Sequence, residues 1–248
     1  MKILGIIPAR YASTRFPGKP LADINGKPMI QHVYEKAAQK LDEVLVATDD
    51  ERIVSCIKGF KGNVILTSDK HKTGTSRCIE AYEIYSKKTK NKYDVIINVQ
   101  GDEPTLMPDQ FDEIISCFYD KKTEIATLTK QTLDIEEILN PNIVKVVFDK
   151  DNFALYFSRS PIPFLRDKEK SLWAETGIFY KHVGIYAFKT GILKKLKKLE
   201  VSILDASESL EQLNWLYHGY NIKVQTTMFS NIGIDTPDDL EILKSRII

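Results

Sequence analysis

The chain has 248 residues, 43% hydrophobic and 28% charged, enough to enclose one large α/β core or two small ones. With 35 Lys and Arg against 34 Asp and Glu the formal net charge is +1, which argues against a general attraction to nucleic acid or to an anionic membrane. Cys56, Cys78 and Cys117 are widely spaced and read as reduced core thiols, the apolar run of MKILGII stops at Pro8, short of a signal peptide, and no run approaches the roughly 20 residues that cross a bilayer, so the expectation is a soluble cytoplasmic protein.

Residues 3–7, ILGII, read as a buried strand. The loop PARYASTRFPGKPL (8–21) follows, carrying Arg10, Arg15 and Lys19 among Gly18 and prolines. The next segment predicts a helix, with Ile30, Val33, Tyr34, Ala37, Ala38 and Leu41 recurring at helical spacing. EVLVATDD (43–50) predicts a strand, ERIVSCIKGF a helix, NVILTS (63–68) a short strand and TSRCIEAYEIYSK (75–87) a helix. YDVIINVQ (93–100) is almost wholly apolar, as befits a central strand covered on both faces. This alternation predicts a mostly parallel, doubly wound sheet.

The second half is less regular. EIATLTKQ, IVKVVFD, FALYFS, HVGIYAFKT and IKVQTTMF predict strands, and LKKLKKLE predicts a short basic helix. DTPDDLEILKSRII predicts a closing helix with Thr236 as N-cap, Pro237 at its first position and Asp238 and Asp239 complementing the dipole. No linker or repeat breaks the chain, which points to a single domain over 1–248 with its later half elaborated.

The basic loop is not a P-loop, because Ser13 and Pro20 stand where Gly and Ser or Thr are required, and no G-x-G-x-x-G follows the first strand. It still has the parts to hold phosphate: backbone amides after a strand, with Lys and Arg for charge. Open α/β sheets bind ligands at this end of their strands.

PARYASTRFPGKPL and INGKPMIQHV, followed by VATDDERI (46–53), TGTSR (73–77), NVQGDEP (98–104), NPNIVKVV (140–147), ALYFSRSPIP (154–163), HVGIYAF (182–188), LEQL (210–213) and GIDTPDDL (233–240), resemble in order and spacing the 3-deoxy-manno-octulosonate (Kdo) cytidylyltransferase family. The resemblance covers almost the whole chain. It implies a nucleotide-diphospho-sugar transferase-like α/β fold with a mixed, mostly parallel sheet flanked by helices. It implies activation of Kdo by CTP for lipopolysaccharide synthesis, with Mg²⁺, in a homodimer without nucleic acid or membrane insertion. Residues 1–130 would then serve mainly CTP, and 131–248 mainly the sugar and dimerisation, with HVGIYAF and the basic helix as candidate dimer surface.

Carried over residue by residue, the family motifs place Arg10, Ser13, Arg15 and Lys19 at the triphosphate, with Lys19 and Arg10 catalytic. They place Asp102 and Asp235 at the metal and in the reaction, and Arg77 and Gln100 at the nucleotide, Gln100 also facing the sugar. Arg159, His182, Tyr186, Glu211 and Gln212 fall at the sugar positions, Arg159 suited to clamp a carboxylate. Plainer readings stand beside these. Arg15 also reads as a solvated surface cation, Arg77 as a helix-surface partner of Glu80 or Glu83, Asp235 as helix-start chemistry, and Glu211 and Gln212 as a solvated helix face. Glu103 competes with Asp102 for the metal. The histidines show no zinc spacing.

Ser76 stands where the family has an acid and Asn214 where it has Arg. These departures keep open a cytidylyltransferase for 8-amino-Kdo or a nonulosonic acid. A non-catalytic nucleotide-binding protein and a glycosyltransferase are the readings of other classes. The first predicts a missing cation or carboxylate, and the second a D-x-D where this chain has D-E-P.

Overall fold

The computed structural model describes residues 1–13 and 15–247. The strands are β1 (Ile3–Ala9), β2 (Asp23–Ile24), β3 (Lys27–Pro28), β4 (Glu43–Thr48), β5 (Asn63–Leu66), β6 (Val95–Asn98), β7 (Ile125–Gln131), β8 (Lys145–Phe148), β9 (Ala154–Ser158), β10 (Tyr180–Lys189) and β11 (Ile222–Thr226). The helices are α1 (Met29–Ala37), α2 (Glu51–Gly59), α3 (Gly74–Thr89), α4 (Asp109–Ser116), α5 (Ile135–Leu139), α6 (Leu193–Leu196), α7 (Ile203–Glu208), α8 (Glu211–Tyr217) and α9 (Pro237–Ile247). Thr14 and Ile248, which fall in the predicted loop and closing helix, lie outside the described residues. Among the described residues no helix is long and apolar enough to cross a membrane.

The chain divides into two compact units. The first takes Met1–Asp112, Lys189–Leu193 and Ser230–Ile248; the second takes Glu113–Phe188 and Lys194–Phe229. The C-terminal helix therefore belongs with the N-terminal half, not with the residues before it.

In the first unit the order β6-β1-β4-β5 is parallel throughout. Val44, Leu45, Val46 and Ala47 of β4 and Val95, Ile96 and Ile97 of β6 are buried, as continuous apolar runs in a covered parallel sheet should be. Ile24, Met29, Ile234, Leu240 and Leu243 form one cluster, which seats α9 and residue 234 beside the β2–β3 hairpin. Thr236 and Asp239 cap α9 reciprocally: the Asp239 amide donates to Thr236 Oγ1 at 3.3 Å, and the Asp239 carboxylate accepts from the amides of Asp235 at 3.0 Å and Thr236 at 2.9 Å. The helix start is thus satisfied without the Asp235 carboxylate.

In the second unit β7 pairs parallel with β11 and antiparallel with β10, and β8 pairs antiparallel with β9 and β10. Together the two units give a mixed, mostly parallel α/β fold. The register of β10 against β7 shifts between Val183 and Tyr186. Thr127 Oγ1 serves that irregularity by donating to the Ile185 carbonyl at 2.7 Å. Two expectations are corrected here. HVGIYAF lies in β10 with Val183, Ile185, Tyr186, Ala187 and Phe188 buried within the chain, so those five side chains are not available as dimer surface, while His182 and Gly184 are half-buried. The basic helix is only Leu193–Leu196, and its two leucines are buried within the chain.

Candidate active site

The loop after β1 is shaped by its own backbone. The Tyr11 carbonyl accepts from the amides of Ser13 and Gly18, both at 2.9 Å, which folds the segment back on itself. Gly18 has φ +74° and lies against the Tyr11 ring, where a Cβ would meet ring atoms at 3.1 Å. This turn starts the short 3₁₀ segment that directs Lys19 inward: its side chain is 13% exposed.

Lys19 is the hub of the first unit's site. Its ammonium lies 2.7 Å from Asp102 Oδ2, 3.6 Å from Asp235 Oδ1 and 2.8 Å from the Ile234 carbonyl. Two carboxylates 133 positions apart in sequence thereby meet at one cation. The backbone fixes this meeting. The Ile234 amide donates to the Asp102 carbonyl at 2.9 Å, the Ile232 amide to Thr105 Oγ1 at 2.7 Å, and Asn231 Nδ2 to Glu103 Oε2 at 2.7 Å. Gly101 permits the turn by close approach: a Cβ there would meet the Pro8 carbonyl oxygen at 3.2 Å. Arg15 joins from solvent, 3.0 Å from Asp235 Oδ1. Glu103 does not share the site, since its carboxylate faces Asn231, and burial pushes its pKa up to about 7.

These residues border a cleft of about 260 Å³ lined by Arg10, Ser13, Arg15, Lys19, Arg77, Gln100, Asp102 and Asp235. Arg77 is held from inside: it is 3% exposed and donates to Asp49 at 2.6 Å and to Thr67 Oγ1 at 2.7 Å. Its carboxylate partner is Asp49 rather than a surface contact on its own helix. The sequence reading did not single out His71, Lys72, Thr73 and Gly74, which also line the cleft. The available signal was a cation directly before T-G-T-S-R at a helix start. Thr73 caps α3 by accepting from the Ser76 amide at 3.1 Å. His71 lies 3.0 Å from Ser76 Oγ and pairs with Glu80.

The second unit holds the other predicted residues. His182, Tyr186 and Trp215 form a chain of ring contacts, with centroids 5.1 Å apart for the first pair and 5.0 Å for the second. His182 Nε2 lies 2.9 Å from Thr127 Oγ1, and burial pushes its pKa down to about 3. The Tyr186 hydroxyl is buried with no hydrogen-bond partner among the described residues, and burial and then Glu211 raise its pKa well above the usual value. Such an orphaned hydroxyl suits a polar ligand. Gln212 is 5% exposed, so it does not belong to a solvated helix face. Arg159 follows β9, with Nε donating to the Glu208 carbonyl at 2.7 Å and Nη1 to the Pro141 carbonyl at 3.1 Å. Asn214 is buried and accepts from the Ser202 amide at 2.8 Å, so it ties α8 to the cap of α7.

The imidazole of His182 predicts a pH effect. Unfolded, it takes its proton near pH 6.5; folded, near 3. The unfolded state binds more protons between those values, so this group lowers stability as pH falls through the window. His182→Gln removes the contribution. The melting temperature of the wild type relative to the variant should therefore drop steadily between about pH 7 and pH 4. A pH-independent difference would contradict the neutral imidazole.

The profile of the Cytidylyltransferase family matches residues 4–224. The chain is 54% identical to the 3-deoxy-manno-octulosonate cytidylyltransferase of Parabacteroides distasonis, over 97% of this chain and 96% of that protein. It is 52% identical to the enzyme of the same name from Phocaeicola vulgatus, over 97% and 95%. Among solved structures, CMP:2-keto-3-deoxy-manno-octonic acid synthetase complexed with CTP superposes with a TM-score of 0.90 at 41% identity, covering 100% of this chain and 98% of that one.

Proposed function

The chain belongs to the cytidylyltransferase family, and from that premise we propose that it activates Kdo with CTP, giving CMP-Kdo and pyrophosphate. The anomeric hydroxyl of the sugar attacks the α-phosphorus of CTP; the bond from that phosphorus to the oxygen bridging to the β-phosphate breaks, and pyrophosphate departs. Catalysis of such a step is positioning and charge neutralisation. The observation that carries the reading is the meeting of Lys19 with Asp102 and Asp235 in a cleft that Arg10, Arg15, Lys72 and Arg77 also line.

Arg10, Arg15 and Lys19 hold the triphosphate, helped by Ser13. Lys19, whose ammonium is already oriented by three oxygens, neutralises charge that builds on the phosphates in the transition state. Arg77 and Gln100 bound the nucleoside end. Asp102 and Asp235 offer hard anionic oxygens around a single positive charge, a donor set that fits Mg²⁺. Bound there, the ion would neutralise phosphate charge. Arg159 pairs with the sugar carboxylate, while His182, Tyr186, Glu211 and Gln212 receive its hydroxyls, the orphaned Tyr186 hydroxyl supporting that assignment.

We read the two units as one nucleotidyltransferase domain, because the family match runs through both. We place the enzyme in the cytoplasm, supplying lipopolysaccharide assembly, as a homodimer.

Ser76 and Asn214, the two departures from the family pattern, each have a partner within the fold. Ser76 Oγ donates to the Thr73 carbonyl at 2.9 Å, and Asn214 holds the Ser202 amide. The test is pyrophosphate release with CTP, Mg²⁺ and either Kdo, 8-amino-Kdo or a nonulosonic acid. We expect the highest kcat/KM with Kdo; a higher value with another acid sugar would displace this reading.

A further inference from the structure

Lys145 is a buried charge that the reaction above does not use. It sits on β8, is 0% exposed, and has no ion-pair partner among the described residues. Its ammonium donates to the carbonyls of Asn140 at 2.8 Å, Ile143 at 2.5 Å and Arg159 at 2.6 Å. An ammonium has three protons, and all three are placed. Desolvating such a charge is costly, and an apolar side chain of similar length would avoid that cost. The ammonium does one thing an apolar chain cannot: it gathers carbonyls from two separate segments, the turn at 140–143 and the end of β9.

Glu208, the last residue of α7, holds the same residue from the other side. Its carboxylate accepts from the Arg159 amide at 2.6 Å and from Ser158 Oγ at 2.9 and 3.1 Å. Its own carbonyl accepts Arg159 Nε. The turn fixed by Lys145 supplies the Pro141 carbonyl to Arg159 Nη1. The main chain of Arg159 is thus pinned at its carbonyl by Lys145 and at its amide by Glu208. Its guanidinium is braced by carbonyls from the two segments those residues control. Of five guanidinium N–H groups these contacts use two, leaving three for an anionic ligand. A planar fork so braced loses little freedom on binding a carboxylate.

We propose that Lys145 and Glu208 are positioning residues for acid-sugar recognition, setting the Arg159 guanidinium for the sugar carboxylate. The proposal rests on the assignment of Arg159 made above. Burial and the neighbouring Arg159 lower the pKa of Lys145 while Glu208 opposes them, so the three carbonyl contacts are what favour its charged form.

The test is steady-state kinetics of Lys145→Met, Glu208→Gln and Arg159→Lys, varying Kdo at saturating CTP and then CTP at saturating Kdo. Misplacing a binding group by about an ångström costs up to about a hundredfold. We expect the KM for Kdo to rise about tenfold or more in Glu208→Gln and further in Lys145→Met, with the KM for CTP within about twofold of wild type. Discrimination between Kdo and its C1 amide should fall in both variants, which general loosening of the fold would not cause. Glu208→Gln is nearly isosteric and keeps the test decisive if Lys145→Met folds poorly. Should Arg159→Lys raise the KM for Kdo while Glu208→Gln leaves it and the acid-over-amide preference unchanged, the positioning role is overturned and the Arg159 assignment stands. An unchanged KM for Kdo in Arg159→Lys would overturn that assignment and this proposal with it.

Discussion

Replacing Lys19 with methionine is expected to lower kcat about a thousandfold at saturating CTP and Kdo. The side chain keeps its length, so the loop around Gly18 has no steric reason to move. What disappears is the positive charge. Asp102 and Asp235, held near one another by the backbone bond from the Ile234 amide to the Asp102 carbonyl, would lose the cation between them. The triphosphate would lose a fixed charge at the place where the transition state concentrates its own. Removing one preorganised donor at such a place costs roughly 10²–10³ in turnover, and a charged one belongs at the upper end. The loss should appear in kcat measured by pyrophosphate release. An increase in the KM for CTP with kcat preserved would reduce Lys19 to ground-state binding.

Asp102→Asn should lower kcat by about 10²–10³ and raise the Mg²⁺ concentration needed for half-maximal rate. Asparagine keeps the shape and one carbonyl acceptor for Lys19, but not the anionic oxygen a hard cation requires. The Asp102 side chain is 34% exposed, so its ion pair adds little to stability, and the melting temperature should shift by only a few degrees. A magnesium titration and a thermal melt on the same sample check both parts. Turnover near the wild-type value with an unchanged magnesium requirement would remove Asp102 from the metal site.

The parallel half of the fold was legible because burial on both faces leaves a plain record. Runs such as VLVA in β4 and VII in β6 admit few other readings. The start of α9 was equally readable, since Thr236, Pro237 and the acidic turn act locally. The β2–β3 hairpin was missed although Asn25-Gly26 is a strong hairpin signal, because its strands are only two residues each. Ala38 was placed on the core face of α1 but is exposed, because the helix ends at Ala37 and the chain turns before Leu41 packs. In the second unit, strands half covered by short helices leave weaker patterns, and β10 could be mistaken for surface.

The site divides along the same line. Lys19, Asp102 and Asp235 were found because each sits in a long motif. Their common centre depends on a backbone bond from the Ile234 amide to the Asp102 carbonyl that no local pattern encodes. Asp49 as the partner of Arg77, and Lys145 and Glu208 around Arg159, are contacts across 28, 14 and 49 positions. The tie from Asn214 to the Ser202 amide, across 12 positions, was likewise not readable from the motif beside it.

The most direct test is to incubate the purified protein with CTP, Kdo and Mg²⁺ and follow the phosphorus species by NMR. CTP is expected to disappear only when Kdo is present, with one CMP sugar phosphodiester and one pyrophosphate formed for each CTP consumed. CTP that binds but remains intact with Kdo and Mg²⁺, or is broken down without a CMP sugar, would contradict the proposed reaction.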